Sequence, residues 1–579
     1  MEGIVFSDLE KIVKNPEAVS ERPDNDRWYI MPYETAKISG NALMSTYSGA
    51  PKDVVLSPNL SGWHKIFVSS IRMVGDFWLL MKLDNEEHFM TIHDSYVTAE
   101  ESHSTNETVE EQFWCCADLT GRDIVLRKHK SNIDSISTLV WLRCVPMTEE
   151  EIAEYKDYVN ADGRRNLHVH YDNDSNDLHG TDKMEDLLML NYTVKDTDAK
   201  ICTQEILDDV FEEDAYDETD RVLQQRWPHY NDQCRRAAAK MDEIVKTRAD
   251  LMHSMGVKLY AGYRASVSLM SPPFVPLLFS TFVKKNPEFS CYTRDGRRTG
   301  ILSFAYPEVR RYAIDYLKRA VARGYDGVSL ICHRGIRFGF EQPVCDEFAR
   351  RHGGIDARRV PMNDDRLLDI WCEFFTQFVC DLHRELDEQQ GRHVPINVIT
   401  GYTPEASRRM GVDVEALCKA GVIDHFCAEA MDIYEAHLGS CMGEDGLIDM
   451  EKYRQVLCKT IVVGRRFGES WDLVKDGTPK FLEISKKYGV EFFAGMSPNN
   501  MIPPLRRIEW IQKLRELGAE NFSFFNFCHD GCRIRPIVYA AAKTGHEKNY
   551  PEYYTPNFYR ILSLGGVDIS TYNASVSRT

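Results

Sequence analysis

The run Cys427-Ala-Glu-Ala-Met-Asp-Ile-Tyr434 places two carboxyl groups, Glu429 and Asp432, three residues apart where a short apolar segment ends. Two carboxyl groups at one place can hydrolyse a glycosidic bond. One, protonated, assists the leaving oxygen, and the other, ionised, attacks or activates water. Partial burial behind an apolar segment favours the protonated form, which suits Glu429 to the acid role. Asp172 and Asp174 follow the run Asn166-Leu-His-Val-His-Tyr-Asp172, Glu341 follows the segment ending at Ile331, and Asp530 follows Asn521–Phe527. Each of these acids alone is equally well a loop cap or a salt-bridge partner. Their collection at the ends of predicted strands is what points to chemistry, with Asp172 or Asp432 as the second carboxylate. His333 is a candidate proton donor, or else a pocket residue that only hydrogen-bonds.

Cationic and neutral groups accompany these acids. Arg264, Arg334 and Arg337 stand at predicted strand ends, where guanidinium forks could bind a carboxylate or sulfate on a sugar, or neutralise acids such as Glu341. Tyr402, Asn526, His529 and Asp530 are candidates for binding sugar hydroxyls. A different chemistry is offered by His168-Val-His170. On a strand, residues i and i+2 point the same way, so both imidazoles would face one interior, as in metal-dependent amidohydrolase barrels. Outside that alternative no metal and no cofactor is expected.

These residues need a scaffold that brings strand ends together. Pro307 opens a helix whose apolar positions, Val309, Tyr312, Ala313, Tyr316, Leu317, Ala320 and Val321, recur at three- and four-residue spacing until Gly324. Tyr325–Ile331 then reads as a strand covered on both faces. Runs of the same kind lie at 166–172, Leu187–Val194, Val257–Arg264, Val394–Tyr402, Asp424–Ala430, Val490–Met496 and Asn521–Phe527, with a helical segment before nearly every one. Eight strands alternating with helices predict a (β/α)8 TIM barrel, whose chemistry sits at the C-terminal strand ends. Arg465–Lys480 fits the alternation least well and predicts an interrupted helix.

Upstream, from Trp28 to about Val145, short alternating runs separated by turn residues predict an all-β sandwich. Trp63, Trp78 and Trp114 fall within its strand patterns and read as core rather than as sugar-stacking faces. The expected organisation is an N-terminal arm over 1–27, the sandwich over 28–148, the barrel over 149–545 and a C-terminal extension over 546–579 that packs partly on the barrel. Residues 205–220, EILDDVFEEDAYDETD, hold nine acids in sixteen positions and read as a solvated insertion, or alternatively as a lid or cation site.

Composition narrows the partners. A formal net charge of −19 and a pI near 5.5 argue against nucleic acid, whose binding rests on clustered Lys and Arg. No run is long and apolar enough for a bilayer, so no membrane partner is expected, and the N-terminus lacks an apolar core of signal-peptide length, which predicts a cytoplasmic chain. The 16 cysteines are scattered among apolar neighbours and read as small buried hydrophobes. A carbohydrate substrate is the expected partner, and assembly into a homo-oligomer is left open.

The run GILSFAYPEVRRYAIDYLKRAVARGYDGVSLICHRGIRF, preceded by VKLYAGYRASVSLM and followed by EQPVCDEF and RRHGGID, resembles the glycosyl-hydrolase-like family 10 barrels of polysaccharide-degrading bacteria. LSPNLSGWHKIFV and FWCCADLTGRDIVLR look like the β-sandwich that precedes such barrels in one branch. The resemblance implies a bacterial glycosidase of carbohydrate metabolism that uses carboxylates at the barrel mouth. It also implies an Asp at the end of the fourth strand. Ile331 stands there instead, and Ser329 stands where some members carry Glu. Asp326 lies at the start of that strand, the end where residues serve stability. The departure raises a second alternative, a non-catalytic relative that binds carbohydrate, and it leaves the fourth strand to supply His333 and Arg334.

Overall fold

The computed structural model describes residues 2–71, 78–93, 108–128, 136–159, 165–171, 191–206, 239–265, 285–332, 338–429, 463–496, 504–525 and 557–569, together with Met184, Leu188, Phe282 and Phe527. Eight parallel strands close into a barrel: Leu167–Tyr171, Ala199–Glu205, Lys258–Arg264, Gly327–Ile331, Ile396–Thr400, His425–Ala428, Glu491–Met496 and Phe522–Phe524. Closure comes from the pairing of the eighth strand with the first, Ser523 against His168. The (β/α)8 architecture expected from the sequence is therefore present, as is a separate antiparallel domain before it.

The helix Pro307–Ala322 forms as its periodicity predicts. Pro307 takes the first turn, where its missing N–H costs nothing, and Val309, Ala313, Tyr316, Leu317, Ala320 and Val321 are buried. Helix Asp365–Gln390 is begun by the Asp364 side chain, which accepts the Arg366 N–H at 3.0 Å, and is stopped by Gly391 in the left-handed region at φ 61°. No described helix is long and apolar enough to cross a membrane.

Two expectations about the barrel are corrected. The second strand is Ala199–Glu205, and Asn191–Val194 is a short 3-10 turn. All four turn residues are buried, Tyr192 in the sandwich core and Val194 in the barrel core, so an apolar run found burial without becoming a strand. The true strand, AKICTQE, is half polar, and its interior positions Thr203 and Glu205 are hydrogen-bonded above the apolar Ile201. Consequently Glu205 is the buried end of a barrel strand and no part of a solvated insertion, and 207–220 lie outside the described residues. The second correction concerns Arg465–Lys480, which lies within one continuous helix, Val463–Tyr488, with Pro479 inside it. Gly477 of that helix lies so close to the Tyr402 carbonyl that a Cβ would sit 1.8 Å from its oxygen.

The antiparallel domain is two facing sheets. The larger, of ten strands, runs in the order Ile4–Phe6, Leu142–Pro146, Trp63–Ile71, Thr108–Asp118, Asn557–Leu564, Trp28–Thr35, Ser39–Met44 and Thr138–Leu139, with two short strands off this path. The smaller has Val54–Leu56, Ile124–Lys128, Trp78–Leu83 and Met90–His93. Leu56, Leu79, Met81 and Leu126 of one meet Ile66, Val68, Trp114 and Leu142 of the other in a shared core. Trp114 is buried, and Trp63 is half-buried with its ring against Tyr155. Both chain ends join the larger sheet. Ile4–Phe6 pairs with Leu142–Pro146, and Asn557–Leu564 is inserted between Thr108–Asp118 and Trp28–Thr35 instead of packing on the barrel. Phe67, Leu80, Phe89 and Phe113 of this domain are continuous with the barrel core.

Candidate functional site

Side chains at alternate positions of each barrel strand point inward, and in this chain many of them are polar. They fall into three levels. Nearest the N-terminal face, Glu491 accepts from Lys200 at 2.7 Å and contacts His425 at 3.1 Å, while the other nitrogen of His425 lies 3.3 Å from the Tyr260 hydroxyl. This level closes the bottom of the barrel, and His425 belongs to it rather than to any mouth. Ile201, Ile331, Ile399, Phe493 and Phe525 fill apolar space between the polar groups.

The middle level is a chain of neutral groups. Cys427 contacts Asn397 Oδ1 at 3.5 Å, Asn397 Nδ2 donates to Ser329 at 3.1 Å, and Ser329 meets Thr203 at 2.5 Å. Thr203 contacts His168 Nε2 at 2.7 Å, and His168 Nδ1 contacts Ser523 Oγ at 2.8 Å. Ser523 then donates to Glu429 Oε1 at 2.6 Å. That last bond sets the direction of the rest. With its hydrogen given to Glu429, Ser523 must accept from His168, so the imidazole carries its proton on Nδ1, and Nε2 accepts from Thr203. Ser329 donates in turn to Thr203, and the donors from Cys427 onward all point towards Glu429. Burial, with His170 and His425 nearby, holds the His168 pKa well below the usual imidazole value, and burial raises that of Cys427, so both stay neutral as the chain requires.

The upper level is charged. His170 Nε2 lies 2.8 Å from Glu205 Oε1, Arg264 Nε binds Glu205 Oε2, and the His170 ring is stacked on Phe525 with centroids 3.9 Å apart. Glu205 is buried at the end of the second strand and Arg264 at the end of the third. Burial alone would raise the Glu205 pKa, but the Arg264 charge and the His170 contact outweigh it and hold the carboxyl below the usual range.

Glu429 follows the sixth strand at the C-terminal end of the barrel and is fully buried. Gly495 on the seventh strand makes room for it: a Cβ there would lie 1.6 Å from the Ala428 carbonyl oxygen. The arrangement therefore presents one carboxyl group at the face where barrels carry their chemistry, fixed by a serine that is itself fixed by a neutral histidine.

The other sequence candidates divide. Arg264 is engaged by Glu205 inside the barrel. Glu341 is buried and bound by three donors. One carboxylate oxygen accepts from Ser303 and from Gly339 N–H, the other from Tyr292 N–H, so it brackets the hairpin Ser290–Leu302 to the loop after the fourth strand, and burial raises its pKa. Tyr402 is buried just after the fifth strand. His168 and His170 do share the interior, but His168 has both nitrogens taken by hydroxyls and His170 faces Glu205. Among the described residues, neither belongs to a group of three side chains able to share a metal ion. Asp326 accepts the Leu259 N–H and a His253 nitrogen at the N-terminal end, the stabilising place expected of it. Asp172, Asp174, His333, Arg334, Arg337, Asp432, Asn526, His529 and Asp530 lie outside the described residues. Sequence reasoning missed Glu205, Thr203, Ser329, Asn397, Cys427 and Ser523. Their signal was one polar residue, or two at alternate positions, inside short and otherwise apolar strands.

No protein-family profile matches the chain, and none of the curated proteins does. Solved structures that resemble it include the catalytic domain of a β-amylase from Paenibacillus polymyxa, at 10% identity over 67% of this chain and 97% of that one, with a TM-score of 0.37. An α-galactosidase from Thermus thermophilus follows at 11% identity over 86% and 90%, TM-score 0.30. The glycoside hydrolase domain of PelA from Pseudomonas aeruginosa has 12% identity over 63% and 97%, TM-score 0.30. At such overlap no residue of those proteins can be matched to one here.

Proposed function

We propose that this protein hydrolyses glycosidic bonds at the C-terminal face of its barrel, with Glu429 as one of the two reacting carboxyl groups. The observation that carries the proposal is the buried Glu429 carboxyl at the end of the sixth strand, receiving the Ser523 hydroxyl at 2.6 Å. A donor aimed at a carboxylate favours its ionised form, which fits a nucleophile or a base better than the acid role suggested by burial alone. Asp432 or Asp172 would supply the partner carboxyl, and Tyr402 would border the site.

The test is hydrolysis of a panel of α- and β-linked oligosaccharides and aryl glycosides, neutral and acidic, by the full chain. On the substrate that is turned over, Glu429→Gln should reduce kcat/KM by at least about a thousandfold with an unchanged melting temperature. Full activity in that variant would sink the assignment. Sugar affinity without turnover in the wild-type chain would favour the binding-only alternative. The amidohydrolase reading is disfavoured by the two hydroxyls that occupy the nitrogens of His168.

A further inference from the structure

We propose that His383, Asp387 and His393 bind a divalent metal ion of the zinc type at the N-terminal face of the barrel, clamping the end of one helix to the connector that follows it. His383 and Asp387 are one turn apart near the end of helix Asp365–Gln390, so they share a face. The left-handed turn at Gly391 brings the chain back, and His393 lies over them. His393 Nδ1 is 3.3 Å from Asp387 Oδ2, His383 Nε2 is 3.8 Å from the same oxygen, and all three ligand atoms lie within 4.8 Å of one another. Bonds of about 2.0–2.1 Å to a tetrahedral ion put neighbouring ligand atoms about 3.3–3.4 Å apart, so one edge already fits and a small shift of His383 completes the face.

Two further observations point to a cation rather than to a chance ion pair. Asp424 lies 2.8 Å from His393 Nε2 and Asp387 3.3 Å from Nδ1, so a metal ion would take the place of the Nδ1 proton while Asp424 keeps the proton on Nε2. This carboxylate behind a histidine is the arrangement that orients metal ligands. The remaining oxygens of both acids are held by backbone, Asp387 Oδ1 by Val394 N–H at 2.8 Å and Asp424 Oδ2 by Ile396 N–H at 2.9 Å. Among the described residues, the only basic partners of Asp387 and Asp424 are histidines. Asp387 and Asp424 bring two negative charges, which a dication would balance once it displaces the Nδ1 proton of His393. Two nitrogens and one oxygen suit zinc and its neighbours better than calcium or magnesium, and the exposure of His393 leaves the fourth position open to water. The site is at the opposite end of the barrel from Glu429 and stands or falls independently of it.

Tag-free full-length protein, stripped with EDTA, incubated with zinc chloride and desalted, should retain one zinc per chain by elemental analysis, with a raised melting temperature. His383→Ala and His393→Ala should lose retention and the thermal shift while keeping the melting curve of the stripped wild-type protein. Asp424→Asn should keep the stoichiometry and weaken affinity roughly tenfold in a chelator competition. Sub-stoichiometric zinc in the wild type, or equal affinity in the wild type and both histidine variants, would overturn the proposal.

Discussion

His168 and His170 are two residues apart on one strand and point into one barrel, yet their surroundings are opposite. His168 sits between two hydroxyls in a level without formal charge, and burial keeps it neutral. His170 sits against the Glu205 carboxylate, which Arg264 holds in its ionised form. One level works by the direction of its hydrogen bonds and the next by compensation of charge, and Glu429 takes its donor from the neutral one. The difference teaches that a site so deep in a barrel is set by what the neighbouring strands offer at the same height, and only secondarily by the residue type.

The comparison breaks most severely at Glu205. Glu205→Gln keeps the shape but leaves the Arg264 charge in the interior without its carboxylate, and should lower unfolding free energy in urea by about 3–5 kcal/mol. His168→Phe removes the hinge of the neutral level, leaving Ser523 and Thr203 each short of a partner, and should cost about 2 kcal/mol in the same measurement.

Acid should distinguish the two levels. His168 has a folded pKa below its unfolded value of 6.5, so the unfolded chain binds the extra proton. The stability it contributes is present above pH 6.5 and falls below it by about 1.4 kcal/mol per pH unit. Glu205, also lowered in the folded state, adds its own loss only below its unfolded value of 4.5. Urea titrations from pH 7.5 to 5 should therefore show a slope in the wild type that is reduced in His168→Phe; parallel curves would mean that His168 is already charged when folded. The smallest effect is expected from Ser523→Ala. Removing the donor to Glu429 should move the acidic limb of the pH–rate profile upward, and should cost about 1–2 kcal/mol because the buried His168 N–H and the Glu429 carboxyl each lose a partner. An unmoved limb would separate Ser523 from the chemistry.

Much of the scaffold was legible in the chain. The helix Pro307–Ala322 and the strand after it could be read because their apolar faces pack on an apolar layer, and such faces leave a period in the sequence. The second strand could not, because Thr203 and Glu205 face a polar interior and Glu205 opens an acidic run that looks solvated. The contribution of Asn557–Leu564 to the first sheet was equally hidden, since nothing local records a pairing with Val109 and Glu110 more than four hundred residues earlier. Glu429 was legible as a carboxyl at a strand end. Its partners Ser523 and His168 were not, because a serine and a histidine inside apolar runs look alike whether they end a network or fill a corner.

The sequence by itself determined seven of the eight strands with their alternating helices, the start of the helix at Pro307 and the carboxyl group at the end of the sixth strand, because those properties depend on neighbours a few residues away. Only the tertiary structure decided which polar groups share a level of the barrel, and hence that His168 is neutral, that Arg264 is spent on Glu205 and that Glu429 receives a proton donor from the eighth strand. Those outcomes depend on the register in which eight distant strands close, and closure is a property of the whole ring.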